Sequence, residues 1–297
     1  MTIPSYLKKG DSVAIIATAR KVSKEEIQPA VAFFESYGLS VLLGKNLFAS
    51  SNQYAGSDDQ RAEDLQWALD HKEVKAIIIA RGGYGSVRVL ERINFTQFKL
   101  HPKWMVGYSD VTVFHNAIHN IGVATIHATM PLNFDKSKEA TKSLVDALFG
   151  NSAEIPVEEN FSNKEGKAKG ELVGGNLSLL FSLSGTPYDL DTSGKILFIE
   201  DLDEYLYHID RMMMQLKLTG KLKNLKGLIV GGMTDMKDNA IPFGKFPEEI
   251  ILEAVQEYDF PVCFDFPAGH IDRNMALYFG REVELNVREE KSTLKFL

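Results

Sequence analysis

Apolar residues in the first half of this chain fall into short unbroken runs, and between the runs they recur at helical spacing. The run over 12–18, Ser-Val-Ala-Ile-Ile-Ala-Thr, follows the turn residues Lys9-Gly10-Asp11 and predicts a strand. Ser23 and Glu26 have capping-box spacing, which opens a helix to about Tyr37 with Gly38 as its stop. Pro29 falls inside that helix and is expected to kink or irregularise its first turns. A short strand over 41–43 comes next, then a second capping box, Ser57 with Gln60, before a helix to His71. Residues 74–80 are apolar nearly throughout, the pattern of a strand covered on both faces. They lead into Arg81-Gly-Gly-Tyr-Gly85 and a helical turn over 86–92. Further on, the pattern predicts a strand ending at 104–106, a helix over 111–119, a strand over 124–127 and a helix over 138–148. Strands alternating with helices of this length imply βαβ units around a parallel sheet, an α/β domain over 1–150.

The pattern changes at 151–170, which is polar, charged and without a helical stripe. It reads as a linker that includes an extended strand. Beyond it, Leu172-Val-Gly-Gly-Asn176 leads into a helix over 177–184, and strands are expected at 195–200, 225–231 and 262–264. Helices are expected at 205–219 and 247–258, and short β segments at 276–279, 282–287 and 293–296. Residues 171–297 thus read as a second, smaller α+β domain.

Composition narrows the functional classes. A chain of 297 residues accommodates two domains with real cores, and its 44% hydrophobic and 25% charged content is that of an ordinary globular protein. The net charge of -7 argues against nucleic acid as a partner. Cys263 is the only cysteine, which excludes an intramolecular disulfide and a thiolate zinc site, and its apolar neighbours make it a small buried hydrophobe. The first ten residues lack the order of a signal peptide, and no apolar run approaches bilayer-spanning length. The expectation is a cytoplasmic protein with no membrane partner.

Three places carry candidate chemistry. Ser109 stands at a strand-to-helix corner, Val106-Gly-Tyr-Ser109, where a hydroxyl is pushed out toward the amides of the following helix. The corner keeps only half of the Gly-x-Ser-x-Gly pattern, because Val111 replaces the second glycine, so Ser109 is either a nucleophile or a helix cap. The glycines of 81–85 let backbone amides approach an anion or a developing oxyanion, or else simply form a tight turn. Their spacing fits neither dinucleotide nor Walker loops. His115 and His119, four apart on a helix, could bind a metal, but no glutamate follows His115, and core or solvated positions compete. His270 sits in a Pro/Gly loop after a strand, where a functional side chain is readily presented. Glu200 ends an apolar strand and is either the acid that orients a histidine or a helix N-terminal carboxylate, with Asp201, Asp203 and Glu204 as rivals.

Taken together, Leu7-Lys-Lys-Gly-Asp-Ser12, Ala80-Arg-Gly-Gly-Tyr-Gly85, Val106-Gly-Tyr-Ser-Asp-Val-Thr112, Leu172-Val-Gly-Gly-Asn-Leu-Ser178, Phe198-Ile-Glu-Asp201, Ile209-Asp-Arg211 and Ala268-Gly-His270 resemble the LD-carboxypeptidase family of serine peptidases, which includes the microcin C immunity peptidases. The resemblance spans nearly the whole chain. It departs at Ala17-Thr-Ala-Arg20, where the family usually has Pro and small Ser-like residues. It implies a flavodoxin-like N-terminal domain, a C-terminal domain with barrel-like strands, a homodimer, and no metal or organic cofactor. It also implies a triad of Ser109 as nucleophile, His270 as base and Glu200 as orienting acid, with the amides of Gly83 and Asp110 as oxyanion hole. The implied reaction is removal of the terminal D-Ala from a cytoplasmic murein tetrapeptide. The alternatives are cleavage of a peptidyl-nucleotide or a peptide-binding protein without catalysis. Arg81 is the candidate for holding the substrate carboxylate, or else a salt-bridged brace of its own loop.

Overall fold

A computed structural model describes residues 1–152, 154–288 and 290–297, which divide into two compact units. The first comprises Met1–Ser152 with Met275–Tyr278, the second Ala153–Asn274 with Phe279–Leu297.

In the first unit the apolar runs form β1 (Ser12–Ile16), β2 (Ser40–Leu43), β3 (Val74–Ile79), β4 (Trp104–Gly107) and β5 (Thr125–His127). These pair in parallel in the spatial order 5-4-3-1-2. That is the flavodoxin-like arrangement, whose strand order reverses between β1 and β3. A late strand, β11 (Leu277–Phe279), lies beside β5 at the edge of this sheet. The helices are α1 (Lys24–Ser36), α2 (Asp58–Asp70), α3 (Ser86–Leu90), α4 (Thr96–Leu100), α5 (Thr112–Asn120) and α6 (Lys138–Leu148). Both expected capping boxes are present at Ser23 and Ser57. Pro29 does not interrupt α1: burial of Ile27, Ala30 and Phe34 on one face holds the helix together despite the donor that proline lacks. The five-residue α4 is not apparent in the apolar pattern.

The second unit is built on a seven-stranded mixed sheet. Its strands are β6 (Ile155–Val157), β7 (Gly166–Asn176), β8 (Ile196–Leu202), β9 (Gly227–Thr234), β10 (Val262–Cys263), β12 (Glu282–Val287) and β13 (Ser292–Phe296), in the order 10-9-8-7-12-13-6. The strands from β7 to β10 are parallel, and β12, β13 and β6 are antiparallel. The 151–170 stretch, read as a linker with an extended strand, contributes β6 and the first part of β7 to this sheet. Helices α7 (Leu177–Leu183), α8 (Leu206–Leu218) and α9 (Pro247–Val255) bury one core with the sheet, including Ile209, Met213, Ile250 and Ile251. Of the methionines of α8, Met212 and Met213 fill this core, while Met214 is exposed.

This sheet curls. Val157 pairs at one edge, and Lys164 bridges Val262 at the other. The connection between them reaches at most about 25 Å, whereas a flat sheet of seven strands spans about 29 Å. The barrel-like character implied by the resemblance follows from that geometry.

Candidate active site

The loops at the carboxyl ends of β1, β3 and β4 belong to the first unit. In open parallel sheets this end, near the reversal of strand order, is where ligands bind. Ser109 begins a 3₁₀ turn, Ser109–Val111, directly after β4, with φ at 64°. A residue with a side chain in the left-handed region costs of order 1–3 kcal/mol and persists only where its surroundings impose it. Those surroundings include His115 on α5. Its Nε2 is 2.9 Å from the Gly107 carbonyl, and its Nδ1 is 2.8 Å from the Thr125 hydroxyl. A carbonyl only accepts, so Nε2 carries the proton and Nδ1 accepts from Thr125. Burial pushes the His115 pKa down to about 4, which keeps the ring neutral. With both ring nitrogens engaged inside the core, His115 is not one half of a metal-binding pair with His119. His127, also buried, packs its ring 5.8 Å from that of Tyr108.

Asp110 anchors the corner through its side chain. Its buried carboxylate accepts the Ser86 N–H at 2.7 Å, tying the serine corner to the start of α3, and burial raises its pKa to about 6. The glycine loop and the serine are in direct contact: a methyl group on Gly82 would sit 3.1 Å from Ser109 Oγ. The Arg20 side chain covers Gly83, where a Cβ would lie 2.6 Å from Arg20 Cγ. The divergent first-strand turn therefore contributes an arginine to this wall. Arg81 donates to the Lys21 carbonyl at 3.3 Å, and among the described residues no carboxylate lies within ion-pair distance of it. The salt-bridged brace considered for Arg81 is not what the loop uses.

Glu200 and His270 belong to the second unit. Glu200 lies inside β8 and not at a helix N-terminus, and it is fully buried. One oxygen, Oε2, accepts from His270 Nδ1 at 2.6 Å and from the His270 backbone N–H at 3.1 Å. The rival acids are engaged elsewhere. Asp203 pairs with Lys237 at 2.6 Å, and Glu204 with His208 at 2.6 Å. Asp201 accepts from Asn176 Nδ2 and the Ser178 N–H, both at 2.9 Å. Burial, with Glu200 beside it, raises the Asp201 pKa to about 7.

Two backbone features bring the histidine to the acid. Gly269 has φ at 102°, and a Cβ there would come within 2.7 Å of Glu200 Cβ. In β9, the register against β8 slips between Ile199 and Asp201, so Gly231 and Gly232 together oppose Glu200. A bulge of this kind re-aims a side chain. Here it also admits the His270 loop, since the Gly232 N–H donates to the Ala268 carbonyl at 3.0 Å and a Cβ on Gly231 would meet that carbonyl at 2.4 Å. The adjacent glycines within a strand were a readable bulge signal. Asn176 and Asp201 had no comparable signature.

Cys263 is inert, as its surroundings suggested: burial pushes its thiol up to about 12. Among the described residues, no helix is long and apolar enough to cross a membrane.

The first unit thus carries a serine in the left-handed region against a glycine loop, and the second a buried acid–histidine pair. Comparison with known proteins gives the family. Residues 13–128 match the family model of the LD-carboxypeptidase N-terminal domain, and residues 169–285 match that of the LD-carboxypeptidase C-terminal domain. The probable murein peptide carboxypeptidase of Bacillus subtilis (strain 168) is 38% identical, over 98% of this chain and 94% of its own. The crystal structure of muramoyltetrapeptide carboxypeptidase from Oxalobacter formigenes superposes with a TM-score of 0.86 at 29% identity, covering 96% of this chain and 98% of its own. The MccF-like protein from Bacillus anthracis str. Ames has the same fold, with a TM-score of 0.86 at 24% identity over 100% of this chain and 99% of its own. With both halves matched in order, this chain belongs to the LD-carboxypeptidase family and is a serine-type carboxypeptidase.

Proposed function

We propose that this protein hydrolyses an L,D-peptide bond and releases the terminal D-Ala of a murein tetrapeptide in the cytoplasm, using Ser109, His270 and Glu200 as a triad. The observation that carries the reading is the Glu200–His270 bond, in which a buried carboxylate holds the ring by Nδ1. That tautomer makes Nε2 the atom that accepts a proton.

The steps follow from the chemistry of the groups. A serine hydroxyl is protonated at neutral pH, so Nε2 of His270 removes the Ser109 proton as Oγ attacks the carbonyl carbon before D-Ala. The carbonyl oxygen becomes an anion, which the amides of Gly83 and Asp110 receive, and Glu200 stabilises the imidazolium. Collapse breaks the C–N bond, and His270 gives its proton to the departing amine of D-Ala. Water, deprotonated by His270, then attacks the acyl-serine and regenerates the Ser109 hydroxyl. Arg81 supports recognition of a free carboxylate, because its charge has no acidic partner among the described residues and its planar fork suits a carboxylate.

The test is incubation with a murein tetrapeptide followed by mass analysis. Loss of one alanine by the wild type and none by Ser109→Ala is the expected result; turnover retained in a folded Ser109→Ala removes the nucleophile assignment. A second reading, cleavage of a peptidyl-nucleotide, draws on the exposed rings of Tyr205 and Tyr207. These lie 5.7 Å apart just beyond β8, with Arg211 over Tyr207, and offer a stacking face. A peptidyl-adenylate analogue in the same assay decides between them. The reading also makes the protein a homodimer, which light scattering measures.

A further inference from the structure

Arg61 poses a question that the reaction does not answer. It lies in the first turn of α2, where an arginine is expected on the solvent face, yet it is 1% exposed. Its Nη1 donates to two carbonyls, Thr18 at 2.7 Å and Gly85 at 2.9 Å. The first belongs to the turn after β1 and the second to the glycine loop after β3. Nη2 pairs with Asp58, a carboxylate it shares with Arg88 at 2.8 Å. The guanidinium lies 4.8 Å from the centre of the Tyr54 ring, and its Nε has no hydrogen-bond partner among the described residues.

Stability alone does not account for such a residue. A buried cation with an unsatisfied donor is costly, and well-packed apolar side chains often replace buried charges with no loss of stability. What an apolar residue could not do is join two loop carbonyls across the point where the strand order reverses. The neighbouring contacts converge on the same corner. Ser86 Oγ lies 2.8 Å from Thr18 Oγ1, and the Ser86 N–H donates to Asp110 beside the nucleophile. Gly85, with φ at 146°, lacks the side chain that would collide with Arg61, since a Cβ there would sit 2.5 Å from Nη1. The loop residue and the arginine are fitted to each other.

We propose that Arg61 is a positioning residue that clamps the Arg81–Gly85 loop to the turn after β1 and so fixes the aim of the Gly83 amide beside Ser109. The proposal rests on the serine-peptidase reading. Its consequence is that Arg61, touching no substrate, acts on the transition state more than on binding. Lysine is a poor substitute, because its single nitrogen cannot reproduce the planar fork.

The experiment compares the wild type with Arg61→Lys and Arg61→Met in three measurements: tetrapeptide kcat and KM, the rate of fluorophosphonate labelling of Ser109, and thermal unfolding to correct for the folded fraction. The expected result is a kcat lower by about tenfold to a hundredfold, the range for small misplacements of a catalytic group. KM should stay within about threefold, labelling should slow in parallel with kcat, and Arg61→Lys should lie between the other two. Should Arg61→Met not fold, Arg61→Lys and Tyr54→Leu, which removes the ring beneath the guanidinium, carry the test. Folded variants that label and turn over like the wild type overturn the proposal, as does a rise in KM with kcat unchanged. Failure of the wild type itself to label or to turn over would instead overturn the peptidase reading.

Discussion

A single oxygen of Glu200 accepts both the ring Nδ1–H and the backbone N–H of His270. The acid thus fixes the imidazole's tautomer and the loop that carries it. Glu200→Gln retains the volume but loses the charge, and its amide group can present a donor where an acceptor is required. The expected outcome is a folded protein with kcat lower by about a thousandfold to ten-thousandfold, as for other orienting acids. A steady-state assay checks it, and a loss under tenfold would exclude Glu200 as the orienting acid.

Gly269 tests the same pair through the backbone. Alanine there meets Glu200 side-chain atoms at 2.7–2.8 Å and must also adopt a φ of 102°. Gly269→Ala should destabilise the protein by about 2 kcal/mol or more and reduce turnover of the fraction that remains folded. Urea unfolding and active-site labelling measure the two effects separately; an unchanged midpoint with full activity contradicts the close approach.

Arg81 carries a charge with no carboxylate partner among the described residues. If it receives the substrate's terminal carboxylate, Arg81→Gln raises KM by about tenfold or more for the free acid. A C-terminal amide of the same peptide should bind the variant and the wild type alike. Equal effects on acid and amide would assign Arg81 to the loop alone.

The pKa of Asp201 is raised from 3.8 to about 7 by burial and by the neighbouring Glu200. For an acid whose folded pKa is raised, the folded state holds the proton more tightly. Its stabilising contribution is complete below about pH 4 and is lost as pH rises to about 7, with a slope of at most about 1.4 kcal/mol per pH unit. Asp201→Asn removes this titration. Thermal unfolding from pH 4 to pH 8 should therefore give a flatter profile for the variant than for the wild type. Parallel profiles would show that Asp201 has no such linkage.

Much of this molecule was legible before any coordinates. The strand at Val74–Ile79 was plain because a strand covered on both faces must be apolar throughout. The starts of α1 and α2 were plain because a capping box satisfies local backbone donors with local side chains. The serine corner and the histidine loop stood out for the same reason: glycine and proline mark backbone geometry wherever they occur. The short α4 and β6 left no such trace. Five residues of helix and three of strand span little more than one period each, so such elements show only where flanking residues mark them, and β6 is held by its pairing with β13.

Element order, strand periodicity and caps are local properties, and the amino-acid order of this chain determined them by itself. Tertiary structure decided which of several nearby acids faces His270, because a register slip in β9 against β8 aims Glu200 at the histidine loop while Asp201 bonds Asn176. It also decided that Arg61, an ordinary helix position in sequence, is buried beneath the glycine loop. Register and burial depend on partners far apart along the chain, and no pattern confined to a few residues encodes them.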